Sequence, residues 1–466
     1  MSINIRLPLA IRLAVMILLI PVIVMFVPET AIAQEPLIAV DERGFLHSAK
    51  KVFYIEEPVK NKEFVIFDTV NKKIVFTGRL QEVEAGSELK QGDFSSLTDK
   101  GTYRVYQSEV GFSSEFVIDD ELYHKLYNDI YTDLMLSGDM EETDELEFLC
   151  YLMAVKEIYP DAYMNDKALK DRITSLYDKK VPEWFEMLSV RQDVEDPAVI
   201  EEINKTAVFT GLLSEASVVF GDDELFVNEY RRTARLLYQY ISSYSKAMDR
   251  DALYYSLTEL YKATGIYTYR RAVDIMKKEE MAKAVVDDGT AVDVENAITG
   301  GGVVAGDASA SEANVSADSD AEEHHDSAPF KEPTGYGDYR FLGDIAYLTT
   351  SFKTDYNQCE AILKEYVDKA ADLSNRSDKA HYYVQNDVKD LTIEEYIDNT
   401  VILGLVSYIL TAHEYASVRD NYIHYMMGLN SDRTDYYTEY LTGNGSEDIN
   451  KTVCYVKMLF TLAGNS

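Results

Sequence analysis

The sequence contains few cysteines and almost no tryptophan. Of its 466 residues, three are cysteine and one is tryptophan. Cys150, Cys359 and Cys454 lie far apart among apolar residues, a distribution that supports neither a disulfide framework nor a zinc site. We interpret them as small buried hydrophobic residues. The single tryptophan, Trp184, lies in a segment of helical character, and we predict that it packs in a core rather than against a sugar.

Basic residues are also scarce. The chain carries 45 lysines and arginines against 81 aspartates and glutamates, which gives a formal net charge of −36. Such a surface repels phosphate backbones, so nucleic acid is not an expected partner. The sequence also lacks Gly-x-Ser-x-Gly, His-Glu-x-x-His and a phosphate-binding glycine-rich loop after a strand. These absences argue against serine esterases, zinc proteases and nucleotide-binding enzymes, and we predict no cofactor and no metal.

Only one segment is apolar enough to enter a membrane. Leu13 to Val27 is an apolar run, preceded by two arginines and followed by Ala31-Ile32-Ala33. This order is typical of a secretory signal peptide, and we predict cleavage after Ala33. The alternative is a retained anchor, which Pro21 and the modest length of the run disfavour. The mature protein is therefore predicted to be secreted or held at the cell surface, without an integral membrane domain.

Short runs with a period of two fill the segment from Ala49 to Ile118. β-Branched and aromatic residues recur in strings such as Glu63-Phe-Val-Ile-Phe and Gly101-Thr-Tyr-Arg-Val-Tyr, with Gly, Pro and Asn between them. Regularly spaced short strands separated by turn residues predict a small antiparallel sandwich. We assign this domain to residues 34–119.

From Asp120 onwards, apolar residues recur at helical spacing, and no run typical of a strand interrupts them. The predicted helices are apolar on broad faces, which indicates that they pack in layers. Residues 284–337 differ, because they are rich in Gly, Ala, Ser, Asp and Glu and cannot bury enough surface to order themselves. We therefore predict a helical domain in two parts, 120–283 and 338–466, with a disordered acidic insertion between them.

Several strings resemble one family, and they occur in the family's order. They are Asp93-Phe94-Ser95, Gly101-Thr102-Tyr103, Leu212 to Ser217, Glu259-Leu-Tyr-Lys-Ala-Thr-Gly265, Tyr425-Met-Met-Gly-Leu-Asn430 and Tyr440-Leu-Thr-Gly-Asn-Gly445. They are similar to glycoside hydrolase family 9 cellulases that carry an N-terminal immunoglobulin-like domain. The resemblance implies an immunoglobulin-like β-sandwich followed by an (α/α)6 barrel, a six-hairpin toroid of two concentric helix rings. It also implies action on β-1,4-glucans, so the expected partner is a polysaccharide or oligosaccharide.

The resemblance implies where the catalytic base lies. Inverting hydrolysis of a β-glucoside needs a base that activates water and an acid that protonates the leaving oxygen, roughly 6.5–9.5 Å apart. The family takes its base from an Asp-Ala-Gly-Asp motif, whose counterpart here is Leu136-Ser137-Gly138-Asp139. Asp139 is therefore the candidate base. A simpler interpretation makes Asp139 a helix N-cap with Glu142 as its capping-box partner.

The candidate acid and substrate contacts lie near the C-terminus. The family's acid is a glutamate in a string similar to Ser446-Glu-Asp-Ile-Asn450. When Ile449-Asn450 is aligned with the family's Ile-Asn, Ser446 takes the acid position and Glu447 follows one residue later. Glu447 is the candidate acid, and a solvated loop charge is the alternative. A tyrosine offers an apolar ring and a polar tip, and the candidate substrate contacts are Tyr436, Tyr437 and Tyr440.

The sequence departs from the family at several functional positions. Leu136 replaces the companion aspartate of the base, and only Ser446 separates Gly445 from Glu447, where the family has a long segment with a His-His-Arg element. The loop that the family places before its Asp-Ala-Gly-Asp motif is also missing. Three hypotheses remain: a β-1,4-glucan hydrolase, a non-catalytic carbohydrate-binding or cell-surface scaffold protein on the same fold, and an unrelated exported helical protein. We favour the family's fold with impaired or lost catalysis.

Overall fold

The computed structural model describes residues 36–83, 87–136, 140–162, 164–287, 339–377, 393–410, 414–436 and 451–464. The chain divides into two compact units. The first unit contains the residues up to Asp119 together with Met426–Tyr436, and the second contains Asp120–Tyr425 and the residues from Tyr437 onwards. The predicted signal peptide and nearly all of the predicted acidic insertion lie outside the described residues.

The described part of the first unit contains ten short strands in two sheets. The strands are β1 (Ile38–Ala39), β2 (Gly44–Phe45), β3 (Val52–Ile55), β4 (Glu63–Asp68), β5 (Lys73–Arg79), β6 (Gln81–Glu82), β7 (Lys90–Asp93), β8 (Gly101–Gln107), β9 (Gly111–Phe112) and β10 (Phe116–Ile118). One sheet has the order β1-β3-β7-β6, and the other has the order β2-β10-β8-β4-β5, with β9 paired to β8. All described pairings are antiparallel except that of β2 with β10.

Alternation along the strands places aromatic and aliphatic side chains in one core. In β8, Tyr103 and Val105 are buried while Arg104 between them is exposed, as expected for a strand with one solvated face. Phe53 of β3 meets Phe64 of β4 edge to face, with ring centroids 4.8 Å apart and planes at 83°. Because β3 and β4 belong to different sheets, this contact lies in the core of the sandwich.

The string Gly101-Thr102-Tyr103 has a physical explanation at the start of β8. The hydroxyl of the buried Tyr103 donates to the carbonyl oxygen of Asp99, 2.9 Å away. This is the geometry of a tyrosine corner, in which the ring folds back over the chain that precedes its strand. A Cβ at Gly101 would lie 2.6 Å from the Tyr103 hydroxyl, so only glycine leaves room for the ring.

The segment Met426–Tyr436 belongs to the sandwich unit, whereas we predicted that it is part of the helical domain. The amide of Glu42 donates to the carbonyl oxygen of Met427 at 2.7 Å, and Arg43 pairs with Asp435 at 2.8 Å. Gly428 has φ +104°, and a Cβ there would lie 2.9 Å from Cγ of Glu42. The glycine of the Tyr425 to Asn430 string therefore allows close contact with the chain at Glu42, a long-range contact that helical periodicity does not predict.

Twelve helices form the described part of the second unit. They are α1 (Leu122–Leu136), α2 (Glu142–Ile158), α3 (Asp166–Leu188), α4 (Pro197–Val219), α5 (Glu224–Ile241), α6 (Arg250–Thr264), α7 (Tyr267–Asp287), α8 (Tyr339–Thr349), α9 (Tyr356–Ser377), α10 (Ile393–Leu410), α11 (Ala416–Met426, whose last residue belongs to the first unit) and α12 (Lys451–Ala463). Helix α7 continues through Asp287, so it contains the first four residues of the predicted insertion.

Burial divides these helices into an inner and an outer set. Twelve of the 15 residues of α6 are buried, whereas only six of the 18 residues of the preceding helix α5 are buried. Contacts between even-numbered helices run in sequence from α10 through α12, α2, α4 and α6 to α8. Four odd-numbered helices, α1, α5, α7 and α9, pack against this set, as the outer helices of a six-hairpin toroid do.

The inner helices α4 and α6 run parallel at close range. Asn204 of α4 contacts Asp249 at the start of α6, and Glu215, further along α4, contacts Tyr255, further along α6. The residue numbers therefore increase in the same direction along both helices. Between them, a Cβ at Gly211 would lie 2.4 Å from the ring of Tyr255. The glycine therefore lets the tyrosine ring lie directly against the backbone of α4.

The cysteines and the tryptophan have the packing roles that we predicted, with one exception. Cys150 and Cys454 are buried free thiols, whereas Cys359 is only partly buried, because it lies in the first turn of the outer helix α9. Trp184 is 1% exposed and donates from Nε1 to Glu202 at 3.0 Å, which confirms its place in a core. Among the described residues, no helix is long and apolar enough to cross a membrane.

Candidate functional site

Both candidate catalytic residues and two of the three candidate substrate contacts lie outside the described residues. Asp139, Glu447, Tyr437 and Tyr440 are all in this group, and their roles remain predictions. The neighbouring backbone nevertheless tests the simpler interpretation of Asp139. Helix α2 begins at Glu142, and its N-cap is Glu141. The prediction that Asp139 caps this helix is therefore wrong, because the helix begins two residues too late for Asp139 to occupy the N-cap.

Leu136, the residue that we predicted to replace the companion aspartate, is part of the described structure. Leu136 is the last residue of α1, and 78% of its surface is exposed. A leucine can neither accept a proton nor orient water, so this position cannot supply the second carboxyl of the motif. The high exposure also excludes a core-packing role for the replacement.

Tyr436 is the one candidate substrate contact that the structure describes. It is half-buried and lies at the end of the segment that joins the sandwich unit. Its hydroxyl donates to a carboxylate oxygen of Asp432, 3.1 Å away. The ring of Tyr436 is therefore held by a local hydrogen bond, and its role in binding substrate remains a prediction.

A group of ionisable residues, three buried and one partly buried, lies in the helical unit at positions that we did not predict. Glu157 is on α2, Glu215 is on α4, and Glu259 and Lys262 are on α6. One carboxylate oxygen from each glutamate lies within 4.8 Å of the other two. The Lys262 ammonium bonds to Glu157 and lies 3.8 Å from Glu259. We call these four residues the carboxylate–lysine cluster.

Burial controls the protonation of the cluster. The pKa of Glu259 is raised to about 8, mainly by burial. The positive charge of Lys262 lowers this pKa, and the negative charge of Glu157 raises it further. Burial and the charge of Glu259 raise the pKa of Glu215 well above its usual range. Burial lowers the pKa of Lys262, but the three carboxylates outweigh it and leave that pKa raised. Both buried glutamates therefore favour their neutral forms, while Lys262 stays charged.

Neutral hydrogen-bonding groups complete the surroundings of the cluster. The Tyr255 hydroxyl donates to Oε2 of Glu215 at 2.6 Å, and the thiol of Cys150 lies beside that hydroxyl. The other side-chain oxygen of Glu259, Oε2, is fully buried and has no hydrogen-bond partner among the described residues. An unpaired buried oxygen is costly, so this atom marks a place where the polar interactions of the cluster are incomplete.

The cluster lies near the C-terminal end of α2, whereas the predicted catalytic base precedes the N-terminal end of that helix in the sequence. Glu157 lies one residue before the end of α2, whereas Asp139 precedes the start of that helix. From Glu142 to Glu157 the helix advances about 22 Å at 1.5 Å per residue. The cluster therefore lies about 22 Å along α2 from the end of the helix that Asp139 precedes in the sequence.

A signal for the cluster was present in the sequence. Glu215 and Glu259 each interrupt an apolar helical run, and both lie within strings that resemble the family. An acid on the apolar face of a helix indicates a buried charge that needs a partner. The identity of that partner depends on how three helices pack, which one sequence does not give.

Comparisons with known proteins agree with this architecture. A family model described as "Cellulase N-terminal ig-like domain" matches residues 33–111. The crystal structure of a metagenome-derived glycoside hydrolase family 9 endoglucanase has a TM-score of 0.63 and 13% identity, over 92% of this chain and 98% of that one. A Bacteroides ovatus GH9 structure has a TM-score of 0.61 and 13% identity, with the same coverage. AaCel9A in complex with cellobiose-like isofagomine has a TM-score of 0.57 and 13% identity, over 86% of this chain and 83% of that one. The search of curated proteins found no match.

The chain has the fold of a family 9 endoglucanase. The predicted fold class is confirmed: an immunoglobulin-like β-sandwich followed by an (α/α) barrel. The same comparisons confirm the predicted resemblance to family 9 with an N-terminal immunoglobulin-like domain.

The most specific string of this family 9 fold ends the inner helix α6. Gly265 adopts φ +66° as its left-handed cap, and a Cβ there would lie 2.6 Å from the ring of Phe352. The Tyr261 hydroxyl donates to the carbonyl oxygen of Lys353 at 2.6 Å. The glycine and the tyrosine of the string thus fix how the chain after α8 packs against the end of α6.

Proposed function

We propose that this chain is an exported carbohydrate-active protein that binds β-1,4-glucans on a family 9 fold and hydrolyses them slowly or not at all. The main support is the likeness to a family 9 endoglucanase over 92% of the chain. The exposed Leu136, at a position where the family motif carries an acid, is the reason for proposing weak catalysis.

The residual chemistry would depend on Asp139 as base and Glu447 as acid. Asp139 precedes α2, and the partial positive charge at a helix N-terminus stabilises an ionised carboxylate nearby. The base would act alone, however, because Leu136 has no carboxyl group. Losing one acid–base contribution typically costs 10²–10⁴-fold in rate, so weak turnover is expected even if Asp139 functions.

Sugar binding would rely on tyrosines rather than tryptophan. Trp184 is in a core and is hydrogen-bonded to Glu202, which leaves no other indole in the chain. Tyr436, Tyr437 and Tyr440 are the proposed contacts, because a tyrosine ring packs on a sugar face while its hydroxyl remains hydrated.

The second candidate is a carbohydrate-binding or cell-surface scaffold protein with no hydrolytic activity. It is favoured by the same Leu136 and by the glutamate shifted to position 447. The two candidates share glycan binding and differ only in turnover, so one pair of assays on one preparation separates them.

The test is the release of reducing ends from a soluble β-1,4-glucan, assayed beside a known family 9 endoglucanase. We expect turnover at least about 100-fold below that of the endoglucanase. Any activity that remains should fall to background in Asp139→Asn. Glu141→Gln is the matched control, because it removes an exposed carboxyl two residues away and should leave turnover unchanged.

Three outcomes are informative. Turnover equal to that of the endoglucanase would contradict the proposed impairment. Weak turnover that Asp139→Asn abolishes would favour a slow hydrolase over a scaffold. Turnover at background in the wild-type protein, with glycan binding intact, would favour the scaffold.

A further inference from the structure

The carboxylate–lysine cluster contains more negative than positive charge. Three ionised carboxylates and one ammonium give a net charge of −2 in a region where Glu215 is 2% exposed and Glu259 is 1% exposed. An uncompensated buried charge is unfavourable by several kcal/mol. The cluster therefore needs two further positive charges, which two protons or one divalent cation can supply.

The positions of the carboxylates suit a cation. The three oxygen atoms lie within 4.8 Å of one another. Calcium binds oxygen at 2.3–2.6 Å, so two oxygens on opposite sides of Ca²⁺ lie roughly 4.6–5.2 Å apart. An all-oxygen set of this kind selects hard cations over zinc or copper.

Lys262 does not satisfy all of the acceptors. Its ammonium bonds to Glu157 and is 3.8 Å from Oε1 of Glu259, which is too long for a hydrogen bond. Oε2 of Glu259 is buried and has no hydrogen-bond partner in the described part of the chain. The two oxygens share one carbon atom, so the unpaired oxygen lies at the cluster itself.

The helix ends add to the demand for positive charge. Glu157 lies in the last turn of α2, where the helix carries partial negative charge and a carboxylate is disfavoured. Glu215 and Glu259 lie within the last two turns of α4 and α6. A cation among these carboxylates would face three helix C-terminal ends, where its charge is favourable.

We propose that Glu157, Glu215 and Glu259 form a binding site for a hard divalent cation such as Ca²⁺, beside Lys262. Binding ionises the two carboxyls that are protonated without metal, so each cation that enters releases two protons to solvent. The charge of the site is zero in both states. The proposal contradicts our sequence-based expectation of no metal, and it does not depend on the proposed activity towards glucans.

The test is isothermal titration of the chelator-treated full-length chain with CaCl2 at pH 7, in two buffers with different ionisation enthalpies. We expect one saturable site and release of about two protons per calcium ion bound. Surface carboxylates with ordinary pKa values are already ionised at pH 7, so calcium bound to them releases none. The proton count in the wild-type protein therefore identifies the site without any variant.

Two isosteric variants and one control locate the site. Glu259→Gln and Glu215→Gln should each weaken calcium binding at least about tenfold, because each removes a ligand charge. Glu147→Gln is the matched control, since Glu147 is a buried acid on the same helix as Glu157, about 15 Å before it, and should leave binding unchanged. Circular dichroism at 222 nm would establish that each variant is folded.

Two results would overturn the proposal. One is the lack of a saturable site in the wild-type protein, which would mean that protons alone neutralise the cluster. The other is calcium binding without proton release and with equal affinity in all three variants, which would place the ion on surface carboxylates.

Discussion

Replacing Lys262 by Met is expected to lower the free energy of unfolding by about 3–5 kcal/mol at pH 7. Lys262 is 6% exposed and is the cation in contact with Glu157 and Glu259. Methionine preserves most of the side-chain volume but leaves those carboxylates of the cluster that are ionised without a positive charge. Urea unfolding, followed by the helical signal at 222 nm, measures the effect.

A surface pair supplies the control for this variant. Lys364 and Asp368 form an exposed pair on α9, with side chains 74% and 65% exposed. Lys364→Met should change the free energy of unfolding by less than about 1 kcal/mol, because exposed pairs contribute little. A double variant, Lys262→Met with Glu157→Gln, should recover part of the loss, since it removes one of the unpaired charges. Equal unfolding midpoints for Lys262→Met and Lys364→Met would contradict the assignment of a paired charge to Lys262.

The protein is expected to lose stability between pH 5 and pH 8 in the absence of divalent cations. The folded-state pKa of Glu259 is about 8, raised from an ordinary value of 4.5, and that of Glu215 is also raised. A carboxyl with a raised pKa binds its proton more tightly in the folded chain. The contribution of this carboxyl to the free energy of unfolding is therefore fully present below pH 4.5, and it is lost as the pH rises through the folded-state pKa. For Glu259 the loss is on the order of 4 kcal/mol, at 1.36 kcal/mol per pH unit.

Glu259→Gln should remove much of this pH dependence. Glutamine is neutral at every pH and has nearly the same shape, so the variant should be more stable than the wild type at pH 8, while differing less from it at pH 5. The ionisable groups that face Glu259 include Glu157, Glu215 and Lys262, and the pH dependence that Glu215 contributes should remain in this variant. Glu224→Gln, which changes an exposed acid at the start of α5, is the control. Parallel pH profiles for the wild type and Glu259→Gln would contradict the raised pKa.

The fold could be predicted from the sequence because its signals are local or belong to ordered strings. Alternation in β8 predicts which side chains face the core, and the Gly101 to Tyr103 string, which resembles the family, lies at the tyrosine corner of the structure. The change from a period of two to helical spacing at Asp119 coincides with the end of the first stretch of the sandwich unit. Each of these features depends on neighbours within a few residues.

The features that could not be predicted depend on contacts between distant parts of the chain. Met426–Tyr436 joins the sandwich unit through Arg43 and Asp435, which are 392 residues apart. The carboxylate–lysine cluster combines side chains from α2, α4 and α6. Helical periodicity predicts an apolar residue at the positions of its buried acids and does not indicate which groups they contact. The start of α2 differs from the capping-box prediction for another reason. Glu141 is the N-cap and makes no side-chain hydrogen bond there, so the pattern of Asp139 and Glu142 did not indicate where the helix begins.

The cluster lies near the C-terminal end of α2, and the proposed base precedes the N-terminal end of that helix in the sequence. Asp139 precedes α2, and Glu157 is near its end. A barrel that has lost part of its catalytic motif can still retain the ionic interactions that hold its helices together, because the two depend on different residues. The stability predictions and the activity predictions can therefore succeed or fail independently.

The most direct test of the central claim is the binding of cello-oligosaccharides of two to six glucose units to the full-length chain, measured by isothermal titration. We predict saturable binding with an affinity that increases with oligosaccharide length, together with little or no cleavage of the longest ligand over the course of the titration. No binding of any oligosaccharide at millimolar concentration, or cleavage as rapid as that by a family 9 endoglucanase, would contradict the proposal that this fold has kept its glucan site and lost most of its catalysis.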